Sequence, residues 1–225
     1  MTTWPSRIAK TVLPCAVAAC APSAAPVHTG MQPGATDRAA VAAAVARADS
    51  VRRTFTVADV HFMSGMIPHH AQAVLMARWA PSRGARADVL AFCERIVVGQ
   101  GDEIEIMRTW LAEKGQPVPA ATATHHRMRM GDTEHDMLMP GMLTDAEMAQ
   151  LDSARGPRFD RLFLTYMMRH HEGAITMVEE LLGSVGAAQD ELIIKLASDI
   201  YADQTSEIER MKTMLAGLSS GGPPS

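Results

Sequence analysis

Two adjacent-histidine pairs, His69-His70 and His170-His171, stand in matching surroundings in the two halves of this 225-residue chain. Each follows a methionine by three and four residues, as Met66-x-x-His69-His70 and Met167-x-x-His170-His171. On a helix those offsets place the thioether beside both imidazoles. Imidazole and thioether are neutral, soft donors. Zn, Mn and Mg rarely take methionine, whereas Cu(I) does, and Ag(I) shares its softness. At 100° per residue Met63 and Met76 join the first stripe and Met177 the second. Met107 and Met211 recur at matching places downstream, each sharing a helix face with a glutamine and a glutamate: Gln100 and Glu103, Gln204 and Glu207. The candidate metal ligands are therefore Met63, Met66, His69, His70, Met76, Met107, Met167, His170, His171, Met177 and Met211.

Packing is the competing reading. A methionine stripe at helical spacing commonly fills a core, and any one of these residues alone reads that way. Two adjacent imidazoles are different, because an apolar stripe gains nothing from rings that must both be hydrogen-bonded. Other metal chemistry finds less support. The sequence has no Glu-x-x-His, which a carboxylate-bridged di-iron bundle needs, and no His-x-x-x-His. It has no Cys-x-x-Cys-His for covalent haem. Non-covalent haem with His/Met ligation is left open, with nothing specific behind it.

The elements that carry these residues come from an internal repeat. Asp59-Val60-His61-Phe62 through His69-His70 returns as Asp160-Arg161-Leu162-Phe163 through His170-His171, and Gln100 through Met107 returns as Gln204 through Met211. The period predicts a helix from about Val57 to Ala80, stopped by Pro81, and a second from about Ala85 to Lys114, stopped by Gly115. A second pair is expected from about Pro157 to Leu182 and Ala187 to Leu218. Short connections make each pair antiparallel. The fold class is all-α: a four-helix bundle of two repeated αα-hairpins, 55–115 and 157–218, joined by a long crossover over 116–156. Pro68 interrupts the first helix, either as a kink that aims the histidines or as a tolerated break.

The crossover has its own composition. It carries His125, His126, Met128, Met130, His135, Met137, Met139 and Met142, read as a looser, secondary metal-capturing segment. Thr144-Asp145-Ala146-Glu147 is a capping box, predicting a short helix over about 145–154. The rest lacks helical period and is expected to be mobile and to bury little.

Methionine is the outlier in composition: 17, with nine histidines, against 4% aromatic residues. The net charge of −4 gives no electrostatic case for nucleic acid. Residues 1–19 read as an export signal, with Arg7 and Lys10 before an apolar run too short to span a bilayer. Val17-Ala18-Ala19-Cys20 resembles the bacterial lipoprotein cleavage box, which makes Cys20 the lipidation site and membrane anchor. The alternative is an ordinary signal cut in the Ala-rich stretch that follows. Residues 20–54 are read as a tether with an Ala-rich stretch able to form a helix, and 219–225 as a disordered tail. Cys93 is then a lone thiol in an apolar context, read as core.

Phe62-Met63-x-x-Met66-Ile67-Pro68-His69-His70, Gln100-x-x-Glu103-Ile104-x-x-Met107-x-x-Trp110-Leu111, Met139-Pro140-Gly141-Met142 and Phe159-Asp160-Arg161 through His170-His171-Glu172-Gly173-Ala174 together resemble the bacterial family called domain of unknown function 305. The resemblance covers most of 55–217. It implies a ferritin-like helical bundle, export in many members and copper binding in some. The chain departs from it at Ala71-Gln72, where the family tends to have Gln-Gly. Residues and resemblance together point to an exported protein that sequesters or buffers Cu(I) outside the cytoplasm, facing the periplasm or cell exterior. Its partners are metal ions and, through the anchor, a membrane. The alternatives are a ferritin-like metal-dependent oxidase or reductase, and a structural lipoprotein without metal. No catalytic set is recognisable.

Overall fold

The computed structural model describes residues 38–45, 55–130 and 133–219, without the side chains of 127–136 and 219. The export signal, Cys20, most of the tether and the tail beyond Ser219 lie outside the described residues. So do the side chains of Met128, Met130 and His135. A short helix, α1, covers 38–45.

Four long helices follow: α2 (Val57–Trp79), α3 (Ala87–Glu113), α5 (Pro157–Gly183) and α6 (Glu191–Ser219). They make an all-α four-helix bundle of two hairpins, α2 with α3 and α5 with α6. Among the described residues no helix is long and apolar enough to cross a membrane. The hairpins join chiefly through α2 against α5, while α3 and α6 meet far less. Thr56 caps α2, accepting from the Asp59 amide while the Asp59 carboxylate accepts from the Thr56 N–H. That carboxylate does more: its Oδ1 accepts the Ala188 N–H at 2.7 Å, in the turn of the other hairpin. Its repeat partner, Asp160, accepts the Arg86 N–H in the turn of the first. Each inner helix thus fastens the opposite hairpin's turn through one buried aspartate.

The core falls into two clusters. One takes Phe62, Met63 and Met66 from the first part of α2, Met107 and Trp110 from α3, and Met177 and Leu181 from the end of α5. The other takes Met76 and Ala80 from the end of α2, Phe92 and Ile96 from α3, Phe159, Phe163 and Met167 from the start of α5, and Met211 from α6. Start packing with end shows that α2 and α5 run antiparallel. Both histidine pairs lie where one cluster gives way to the other.

The crossover departs from the expected mobile linker. Residues His126–Met130 (β1) and Thr133–Met137 (β2) pair antiparallel, with His126 opposite Met137. A search for period 3.6 passes over such a strand, whose residues alternate with period 2. A short helix, α4 (Asp145–Ser153), follows, with Thr144 and Glu147 as its capping box. Between them Met139, Met142 and Leu143 are buried, so this segment is part of the core. Gly141, at φ +76°, and Gly173 press their backbones together: a Cβ on Gly173 would fall on the Pro140 carbonyl. Gln72, the repeat counterpart of Gly173, grips the same segment, donating to Leu143 O at 3.0 Å and accepting from Leu143 N at 2.7 Å.

Candidate metal centre

The helix period puts His69 and His70 on the buried side of α2, and His170 and His171 on that of α5; all four are fully buried. Because α2 crosses α5 where the pairs lie, they form one layer. His69 and His170 face each other with ring centroids 3.8 Å apart and planes at 39°. The two separate clusters expected from single-helix wheels are thereby joined, since a wheel carries no information about which helix lies opposite.

Each outer ring of the layer meets a glutamate. His171 Nε2 donates to Glu207 Oε2 at 2.7 Å. His70 Nε2 lies 2.7 Å from Glu103 Oε2, but out of line for a hydrogen bond. His69 Nε2 donates to the Pro140 carbonyl at 3.0 Å, so the close approach at Gly173 sets the tautomer of a histidine on the other helix. A carbonyl or a carboxylate only accepts. The proton of His69 and of His171 is therefore on Nε2, and Nδ1 keeps its lone pair. Metal-binding histidines are commonly arranged in this way, with the far N–H given to a carboxylate or carbonyl.

Those lone pairs have no partner. Among the described residues, nine buried side-chain nitrogen and oxygen atoms lack a hydrogen bond, all of them on His69, His70, His170, His171, Gln100 and Gln204. His170 has both nitrogens unmatched. Burial holds three of the rings neutral, those of His69, His170 and His171. It takes His69 down to about 3, helped by its neighbour His70 and opposed by the Pro140 carbonyl. His170 is driven well below the usual imidazole range by burial, then by His69 and His171. His171 is lowered too, burial outweighing the Glu207 hydrogen bond. Neutral imidazole is the form that ligates. Among the described residues, no three His, Cys, Asp or Glu side chains converge as a ready-made metal site. The methionines lie in the two core clusters that flank this layer.

Met63, Met66, Met107 and Met177 belong to the first cluster, and Met76, Met167 and Met211 to the second. Of the crossover's residues, Met139 and Met142 are buried in the first cluster, while Met137 is exposed. The Met139 amide donates to the Met142 sulfur at 3.2 Å. His125 lies 3.2 Å from Asp145. His126 is buried, and burial lowers its pKa, with His61 adding to that and the Ser64 backbone carbonyl opposing it. That carbonyl is the one Pro68, lacking an N–H, leaves without a helical donor; α2 runs unbroken through Pro68. Glu103, Glu207 and Pro140 are not among the ligands expected from the sequence. The recurrence of Gln-x-x-Glu in both outer helices was the available signal for the glutamates. Nothing in the sequence marks a main-chain carbonyl as a partner.

The family model for the domain of unknown function DUF305 matches residues 59–215. The chain is similar to the crystal structure of a DUF305 protein from Streptomyces coelicolor described as secreted, at 28% identity and TM-score 0.60, over 72% of this chain and 94% of that one. It is similar to a DUF305 fragment from Deinococcus radiodurans at 27% identity and TM-score 0.58, over 72% and 97%. It is also similar to CopM in its Cu(I)-bound form, at 27% identity and TM-score 0.54, over 73% and 98%. Among curated proteins, uncharacterized protein L153 of Acanthamoeba polyphaga mimivirus is 29% identical over 65 residues. The chain spans 43% of that relative's length.

Proposed function

The chain belongs to the DUF305 family, and from that premise we propose that it binds Cu(I) in the histidine layer between α2 and α5, as an exported protein that sequesters or buffers the metal. The supporting observation is the set of unmatched buried nitrogens on four histidines. An unpartnered buried polar atom costs about 1–3 kcal/mol, and this chain gathers them in one layer whose protonated nitrogens point at carboxylate and carbonyl acceptors. His69, His70, His170 and His171 would hold the metal, with Met66 and Met167 as thioether donors from either cluster. This donor set suits a soft monovalent cation. CopM, of the same fold, has been crystallised with Cu(I), Cu(II) and Ag, and a similar protein is described as secreted. The Val17-Ala18-Ala19-Cys20 box adds a lipid anchor to the reading.

Anaerobic Cu(I) titration against a chromophoric competitor tests it. The parent should bind tightly, and a variant with His69→Ala and His170→Ala should lose its tightest Cu(I) equivalent while keeping its helical circular dichroism. Equal affinity in the two would refute the assignment.

A further inference from the structure

We propose a second soft-metal site at the opposite end of the first core cluster, built from His61, Met139 and Met177. It rests on the reading that this chain handles soft cations, but uses none of the four buried histidines. A cavity of about 170 Å³ opens between the start of α2, the end of α5 and the crossover, lined by His61, Met139, Met177 and Glu180 together with apolar side chains and Ser184. At roughly 30 Å³ per water, that volume holds a cation with a few waters.

Two features bring the donors together. Gly65 leaves open the surface of α2 beneath the thioethers. A Cβ there would lie 2.7 Å from Met139 Cε, 3.3 Å from its Sδ and 3.4 Å from Met177 Cε. His61 is exposed on the same helix and meets His126 edge-on, ring centroids 5.6 Å apart. His126 is itself buried, which holds that edge of the cavity in place. The bundle's pseudo-symmetry supplies the contrast: Leu162 stands where His61 stands in the other half. One imidazole, two thioethers and a carboxylate at the mouth suit Cu(I) or Ag(I) and are a poor set for Zn, Mn or Mg.

The test is Ag(I) titration of the purified chain, followed by isothermal calorimetry and by the ring resonances of His61. His61→Ala lies on the surface and should fold as the parent does. Met177→Leu conserves volume as a second variant. Each should lose one equivalent of Ag(I), and His170→Ala should retain that equivalent with the His61 resonances still shifting. Parental stoichiometry in both His61→Ala and Met177→Leu, or unmoved His61 resonances, would overturn the outer site. Should His170→Ala bind as many equivalents as the parent while His61→Ala loses one, the buried layer fails and the outer site stands.

Discussion

His69 and His170 come from different hairpins and face each other at 3.8 Å between ring centroids. Both rings are held neutral by burial. Two uncharged imidazoles in contact across an apolar seam leave lone pairs that neither ring can satisfy for the other without an N–H directed between them. The arrangement suits a ligand better than it suits the metal-free fold.

Stability and function should therefore separate at His170. Leucine there removes two buried nitrogens without partners and keeps apolar volume. The metal-free protein should gain about 1 kcal/mol or more in urea unfolding, while tight Cu(I) binding falls at least about a hundredfold, or about 2.8 kcal/mol. A clear loss of metal-free stability would show that the imidazole makes a contact the protein needs.

Acid should destabilise the metal-free protein well before its carboxylates titrate. His69, His170 and His171 have folded pKa values below the unfolded value near 6.5. The unfolded chain therefore binds more protons, and stability rises with pH across that window. The His69 contribution is complete above about pH 6.5 and is lost as pH falls towards 3, and His170 and His171 act in the same direction. Each ring adds up to about 1.4 kcal/mol per pH unit. Urea midpoints between pH 7 and 5 should fall steeply, and His170→Leu should flatten the slope. A midpoint independent of pH in this range would contradict the neutral assignment.

The glutamates should tune affinity without holding the fold. Glu207 accepts from His171 Nε2, and Glu103 lies at the same distance from His70. Glu103→Gln and Glu207→Gln should each weaken Cu(I) binding about 10–100-fold, with little change in melting temperature. Competition against a chromophoric Cu(I) ligand reads the effect; unchanged affinity in both would assign the carboxylates to surface charge alone.

Two glycine substitutions should differ in sign. Gly173→Ala drives a methyl group into the Pro140 carbonyl and the Gly141 amide, and should destabilise by at least about 2 kcal/mol. Gly99, within α3, has nothing within 4 Å of the place a Cβ would occupy. Gly99→Ala should stabilise by about 0.5–1 kcal/mol. Thermal unfolding of the pair checks whether the crossover is keyed into α5; equal effects would deny it.

The sequence by itself determined the repeat, the four helices and their pairing into hairpins, because helical period and stop signals are local properties. It also determined that His69, His70, His170 and His171 lie on buried stripes, since the spacing of Phe62, Met66 and Ala73 fixes the inward face of α2 whatever it packs against. Tertiary structure alone decided which stripe faces which. The approach of His69 to His170 depends on where α2 crosses α5, and the tautomer of His69 depends on a carbonyl 71 residues away. The crossover shows the same division. Its capping box at Thr144 was legible, but the burial of Met139 and Met142 was not. Their place in the core follows from the missing side chain of Gly173 and the clamp of Gln72, contacts made between segments that local pattern treats as independent.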